Sequence, residues 1–133
     1  MPHKNILLID DDENVRSTLV AILLQAGYRV VSARFVCNAI ESLRDNRFDL
    51  VLMDLKMRDK EGFALLSNLH IVYPDIPVMV LTSHSDMDIA KEAKHLGARE
   101  YFFKPVDPNL LLGQIKEILS EPETFNYINL NNN

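Results

Sequence analysis

Four short runs of this sequence, two of them apolar throughout and two apolar after a polar first residue, finish in residues able to do chemistry. Asn5–Ile9 runs into Asp10, Asp11 and Asp12, Leu50–Met53 into Asp54, Val78–Leu81 into Thr82, and Glu100–Phe103 into Lys104. Carboxylates, a hydroxyl and an ammonium on one edge would hold a hard cation and, beside it, a doubly charged anion. Magnesium favours one or two carboxylates together with phosphate oxygens and retained waters, and lysine meets phosphate as a compact positive charge. This chemistry requires four separate stretches to end at the same place.

Taken singly, each residue has a plainer use. Asp10 to Asp12 would serve as a helix cap with a solvated acidic turn, Thr82 as an ordinary strand end and Lys104 as a surface charge. Their joint placement carries the argument.

The elements that must position them follow from periodicity. The continuous apolar run Leu50–Met53 has the pattern of a strand buried on both faces, as does Val78–Thr82, while Tyr28–Ala33 and Glu100–Phe103 read as shorter strands. Helical spacing recurs between them. Val15, Leu19, Ile22, Leu23 and Ala26 mark a first helix stopped by Gly27, and Val36, Ala39, Ile40 and Leu43 a second, over Val36 to Arg44. Phe63, Leu65, Leu66 and Leu69 give a third, which cannot pass Tyr73-Pro74. Ser85 or Asp86 can cap a fourth, carrying Ile89, Ala90, Ala93 and Leu96 and stopping at Gly97. Asp107 and Pro108 open a fifth, with Leu111, Leu112, Ile115, Ile118 and Leu119. Five strands alternating with five helices make an α/β domain with a parallel sheet, since right-handed crossovers place helices on both faces. One edge then collects all the strand ends, and ligands bind there where strand order reverses.

Composition sets the outer bounds. A chain of 133 residues, 47% hydrophobic and 25% charged, is one domain of ordinary size. A net charge of −5 argues against direct nucleic-acid binding. The single Cys37 forms no internal disulfide and is read as a small helix residue, and no run approaches a membrane span or a signal peptide; a soluble, cytoplasmic protein without membrane contact is the expectation. Residues 1–120 are read as the domain and 121–133 as a polar tail or linker stub.

The motifs Ile6-Leu-Leu-Ile-Asp10-Asp11-Asp12, Leu50-Val-Leu-Met-Asp54 followed by Met57 and Gly62, Val80-Leu-Thr82-Ser83, and Gly97-Ala98 leading to Phe103-Lys104-Pro105 stand in an order and spacing that resemble the receiver domain of bacterial two-component response regulators, from Lys4 to about Ser120. The resemblance implies a flavodoxin-like sheet of five parallel strands in order 2-1-3-4-5 with helices on both faces. It implies Asp54 as phosphoacceptor, taking a phosphoryl group from a sensor histidine kinase. Asp10, Asp11, Asp54 and the backbone carbonyl of Lys56 would bind Mg2+ or Mn2+, with Thr82 and Lys104 meeting the phosphoryl group. Thr82 and Tyr101 would form the switch, and the Lys104–Pro105 bond would be cis.

By the same resemblance the chain is a signalling switch rather than an enzyme, promoting only its own phosphorylation and dephosphorylation. Its output domain or downstream protein would meet the face of the fourth helix, fifth strand and fifth helix, which leaves room for a homodimer. Arg58 stands where the family usually has proline, so the loop after Met57 is more charged. Lys56 and His84 occupy variable positions that tune water access, whereas His3, His70 and His95 lie in no site motif. Two other readings stay open: a pseudo-receiver that binds partners without phosphorylation, and a Mg2+-dependent phosphohydrolase with an aspartate nucleophile, which would need a second acid and a substrate cap.

Overall fold

The computed structural model describes residues 3–56, 61–83 and 87–120. In chain order the elements are β1 (Asn5–Ile9), α1 (Glu13–Gln25), β2 (Arg29–Ala33), α2 (Val36–Asp45), β3 (Leu50–Met53), α3 (Gly62–Val72), β4 (Val78–Thr82), α4 (Met87–His95), β5 (Glu100–Phe103) and α5 (Pro108–Leu119). All neighbouring strands pair in parallel, in the order β2-β1-β3-β4-β5. This is the flavodoxin-like arrangement. Among the described residues no helix is long and apolar enough to cross a membrane.

Successive strand residues point to opposite faces, and the sheet therefore builds two cores. Leu7, Ile9, Val51, Met53, Val78 and Val80 face α2, α3 and α4, where they meet Val36, Leu43, Leu65, Leu66, Leu69 and Ala93. Ile6, Leu8, Leu50, Leu52, Met79 and Leu81 face α1 and α5, against Leu19, Leu23, Leu111 and Ile115. Each fully buried Leu or Ile side chain contributes about 2 kcal/mol. Such coverage explains why β3 and β4 lack polar alternation.

Helix ends follow local chemistry. The Asp12 side chain accepts from the Asn14 and Val15 N–H groups at the start of α1, and Asp107 accepts from Asn109 N–H ahead of Pro108 in α5. After α4, Gly97 takes φ +118, and the His70 ring packs so closely that a Cβ there would lie 2.5 Å from its Cγ. Several boundaries differ from the periodic reading. The second strand starts at Arg29 instead of Tyr28, and α2 runs on to Asp45. Ile40, expected on the buried stripe of α2, is 40% exposed at an open groove between α2 and α3. The Ser85 or Asp86 cap lies outside the described residues.

One contact ties this scaffold to the strand ends. Gly62, the first residue of α3, is buried against the Leu55 backbone, and a Cβ would collide with the Leu55 carbonyl. Backbone cannot swing away as a side chain can. Gly62→Ala is therefore expected to destabilise the fold by about 2 kcal/mol, the scale of an overpacked core, read as a lowered urea midpoint with an unchanged slope.

Candidate functional site

Register brings the strand ends together, β1 level with β3, and β4 level with β5 two residues further on. Ile9 stands opposite Met53 between β1 and β3, and Thr82 opposite Phe103 between β4 and β5, so Asp10 aligns with Asp54 and Lys104 follows Thr82 by one position. Backbone bonds continue the ladder past the strands: Asp54 N–H donates to Ile9 O at 3.0 Å, Asp10 N–H to Ala33 O at 3.1 Å and Lys104 N–H to Thr82 O at 2.8 Å. Strand order reverses between β1 and β3, because β2 and β3 flank β1 on opposite sides. Asp10 and Asp54 sit at that crevice.

Lys104 closes the site from the other end of the sheet. Its Nζ donates to Asp10 Oδ2 at 2.5 Å and to Asp54 Oδ2 at 3.0 Å, so the side chain passes the end of β4 to reach β3 and β1. The remaining oxygens are held by main chain. Asp12 N–H donates to Asp10 Oδ1 at 2.9 Å, and Lys56 N–H donates to Asp54 Oδ1 at 3.0 Å. Asp10 is 2% exposed, Asp54 5% and Thr82 0%.

Burial raises the Asp10 pKa above its ordinary value, and this outweighs the Lys104 hydrogen bond, the Asp12 N–H and the Lys104 charge, all of which favour the carboxylate; the Asp54 charge adds to the rise. For Lys104 the balance tips the other way. Burial disfavours its charge, but hydrogen bonds and charge from Asp10 and Asp54 together hold its pKa above the ordinary range.

Comparison with known proteins decides the family. The response regulator receiver domain model matches residues 6–116. The chain belongs to the response regulator receiver family. It is 38% identical over 116 residues to the transcriptional regulatory protein ZraR of Klebsiella oxytoca, covering 87% of this chain and 26% of that protein. It is 29% identical to sporulation initiation phosphotransferase F of Bacillus subtilis, covering 90% of this chain and 96% of that one. The CheY-like receiver domain of Methanospirillum hungatei superposes with a TM-score of 0.86 at 32% identity, covering 90% of this chain and 96% of that structure. The chain thus spans about a quarter of the ZraR relatives it matches. The receiver domain is a signalling module, and the family role is phosphorelay transduction in which an aspartate is phosphorylated by a kinase.

Receiver domains generally use Mg2+ for this, and the residues here fit it. Among the described residues no three His, Cys, Asp or Glu side chains form a ready-made metal cluster. The donors at hand are nonetheless the hard oxygens that Mg2+ prefers, and Mg2+ usually draws the rest of its shell from water and phosphate. Two buried carboxylates share one ammonium, and a divalent cation beside them would offset the cost of burying their charge, which is what chiefly raises the Asp10 pKa.

Direct bonds join Asp10, Asp54 and Lys104, while Thr82 joins them through the sheet. Asp11 is half-buried in the turn after Asp10, and Asp12 is the cap of α1. Tyr101, partly buried on β5, stacks edge-on against Phe103 with centroids 5.2 Å apart. The Lys104–Pro105 peptide bond is cis. Met57, Arg58 and His84 lie outside the described residues. Sequence patterns missed Arg16, whose Nη1 donates to Asp10 O at 2.7 Å. Its position four residues after a capping aspartate was the available signal.

The electrostatics give two expected outcomes. Removing the shared cation in Lys104→Met should destabilise the metal-free domain at pH 7 by about 3 kcal/mol, because two buried carboxylates are left without a counter-charge; urea unfolding measures it. Asp10→Asn should act oppositely. Since the folded pKa of Asp10 lies above its ordinary value of 3.8, the folded wild type keeps this proton while the unfolded chain releases it, and stability falls as pH rises through that window. Melting temperatures of wild type and Asp10→Asn should converge below pH 3.8 and separate above it, with the variant higher at neutral pH in EDTA.

Proposed function

We propose that Asp54 is the phosphoacceptor of this receiver domain. The observation that carries the reading is the pair of level, buried carboxylates, Asp10 and Asp54, joined on one ammonium beside the switch point. A carboxylate oxygen of Asp54 attacks the phosphorus of a phosphohistidine on a sensor histidine kinase. The O–P bond forms as the P–N bond breaks, and the imidazole leaves with that electron pair and takes a proton from water. Asp10, Asp11, Asp54 and the Lys56 carbonyl hold Mg2+ or Mn2+, whose positive charge offsets repulsion between carboxylates and phosphoryl oxygens.

Lys104 then exchanges its carboxylate partners for a phosphoryl oxygen, and the Thr82 hydroxyl donates to another. Tyr101 follows by rotating inward. Phosphorylation shifts a population that the unphosphorylated chain already visits, because a ligand contributes only its differential affinity for two states. The face of α4, β5 and α5 changes with it and presents itself to an output domain, a downstream protein or a second copy of the chain. Catalysis is confined to the chain's own phosphorylation and dephosphorylation. The receiver comprises residues 1–120, and the polar stretch 121–133, read from the sequence as a tail or linker stub, lies outside the described residues.

Acetyl phosphate with Mg2+ tests the assignment. Intact mass should rise by one phosphoryl group per chain, base-labile and acid-stable, and the adduct should vanish in Asp54→Asn or in EDTA. Continuous turnover of a phosphate ester would instead make the chain a hydrolase. Absence of any adduct under saturating donor would make it a pseudo-receiver.

A further inference from the structure

Arg16 belongs to none of the strand ends, yet its guanidinium reaches the site from α1. Nη1 donates to the backbone carbonyl of Asp10 at 2.7 Å in a partly buried bond. Helix geometry makes the reach natural. Arg16 N–H donates to Asp12 O at 3.0 Å, which places the residue one turn into the helix, and helical side chains lean towards the N-terminus.

The Asp10 carbonyl needs such a donor. β1 ends at Ile9, whose carbonyl accepts from Asp54, while the Asp10 N–H is taken by Ala33 O. The next carbonyl lies past the ladder in a residue only 2% exposed, where an unpaired oxygen is costly.

We infer that Arg16 is a positioning residue for divalent-cation binding, acting through the Asp10 main chain. With Asp12 N–H on Oδ1 and Lys104 on Oδ2, the Arg16 bond pins a third oxygen of Asp10 and so sets how the turn presents the Asp10 and Asp11 carboxylates. This rests on those two residues being the metal ligands proposed above. Charge alone forecasts the opposite effect, since a guanidinium repels a divalent cation and its removal would tighten binding. Loss of an outer-shell tie weakens binding instead.

Mg2+ titrated calorimetrically into wild type, Arg16→Met and Arg16→Lys separates the two, with circular dichroism confirming the fold. Arg16→Met should weaken Mg2+ binding about tenfold, the low end for a lost outer-shell partner, and Arg16→Lys, which keeps a donor, should bind more tightly than Arg16→Met. In phosphorylation by acetyl phosphate, the Mg2+ concentration for half-maximal rate should rise in Arg16→Met while the rate at saturating Mg2+ is retained. Unchanged or tighter binding in Arg16→Met overturns the role of Arg16, and should that variant not fold, Arg16→Gln is read in its place by the same criterion. A wild type that binds no Mg2+ overturns the metal-ligand assignment as well, which distinguishes the two failures.

Discussion

The ammonium of Lys104 lies between two carboxylates that could not be buried at this depth without it. Taking a carboxylate out of water is expensive, and the expense is met only by a well-placed cation and hydrogen bonds to the remaining oxygens. Both conditions hold at Asp10 and Asp54, each with one oxygen on Lys104 and the other on a main-chain N–H. The parallel register ends β1 and β3 at the same height and carries β5 two residues further, so Lys104 starts beyond the two acids and its long side chain reaches back to them. Much of the fold can be read as the means of holding one cation over two acids.

The same interaction joins stability to function. Two carboxylates share one ammonium, so the pairing leaves negative charge in excess, and burial keeps Asp10 reluctant to ionise. A divalent cation bound there would relieve that excess. On the proposed mechanism an incoming phosphoryl group would compete with the carboxylates for Lys104, and the free energy that steadies the resting domain would become the resistance phosphorylation must overcome. A switch needs such a competition, since a group bound equally in both states would shift nothing.

Outer contacts hold the loops that carry these groups. Gly62 permits α3 to start directly against the Leu55 backbone, next to Asp54, and Arg16 ties the start of α1 to the Asp10 carbonyl. Neither residue offers reactive chemistry. Both act through the main chain of a neighbour that does.

Element types and the identity of the strand ends were legible because hydrophobic period and burial are local properties: runs such as Leu50–Met53 and Val78–Leu81 report a doubly covered strand wherever they occur. The strand order came from family resemblance, as periodicity says nothing about which strands are neighbours. Within Asp10 to Asp12 the sequence left cap and site undivided; the fold made Asp12 the cap and turned Asp10 inward. Ile40 matched the apolar stripe of α2, yet it faces an open groove. What only the tertiary structure decided is which atoms meet: Lys104 finds Asp10 across 94 positions of chain, and Arg16 finds a carbonyl that no side-chain pattern marks. Those contacts depend on register and strand height, which emerge from packing the whole sheet, whereas the residues able to make them were already written at the strand ends.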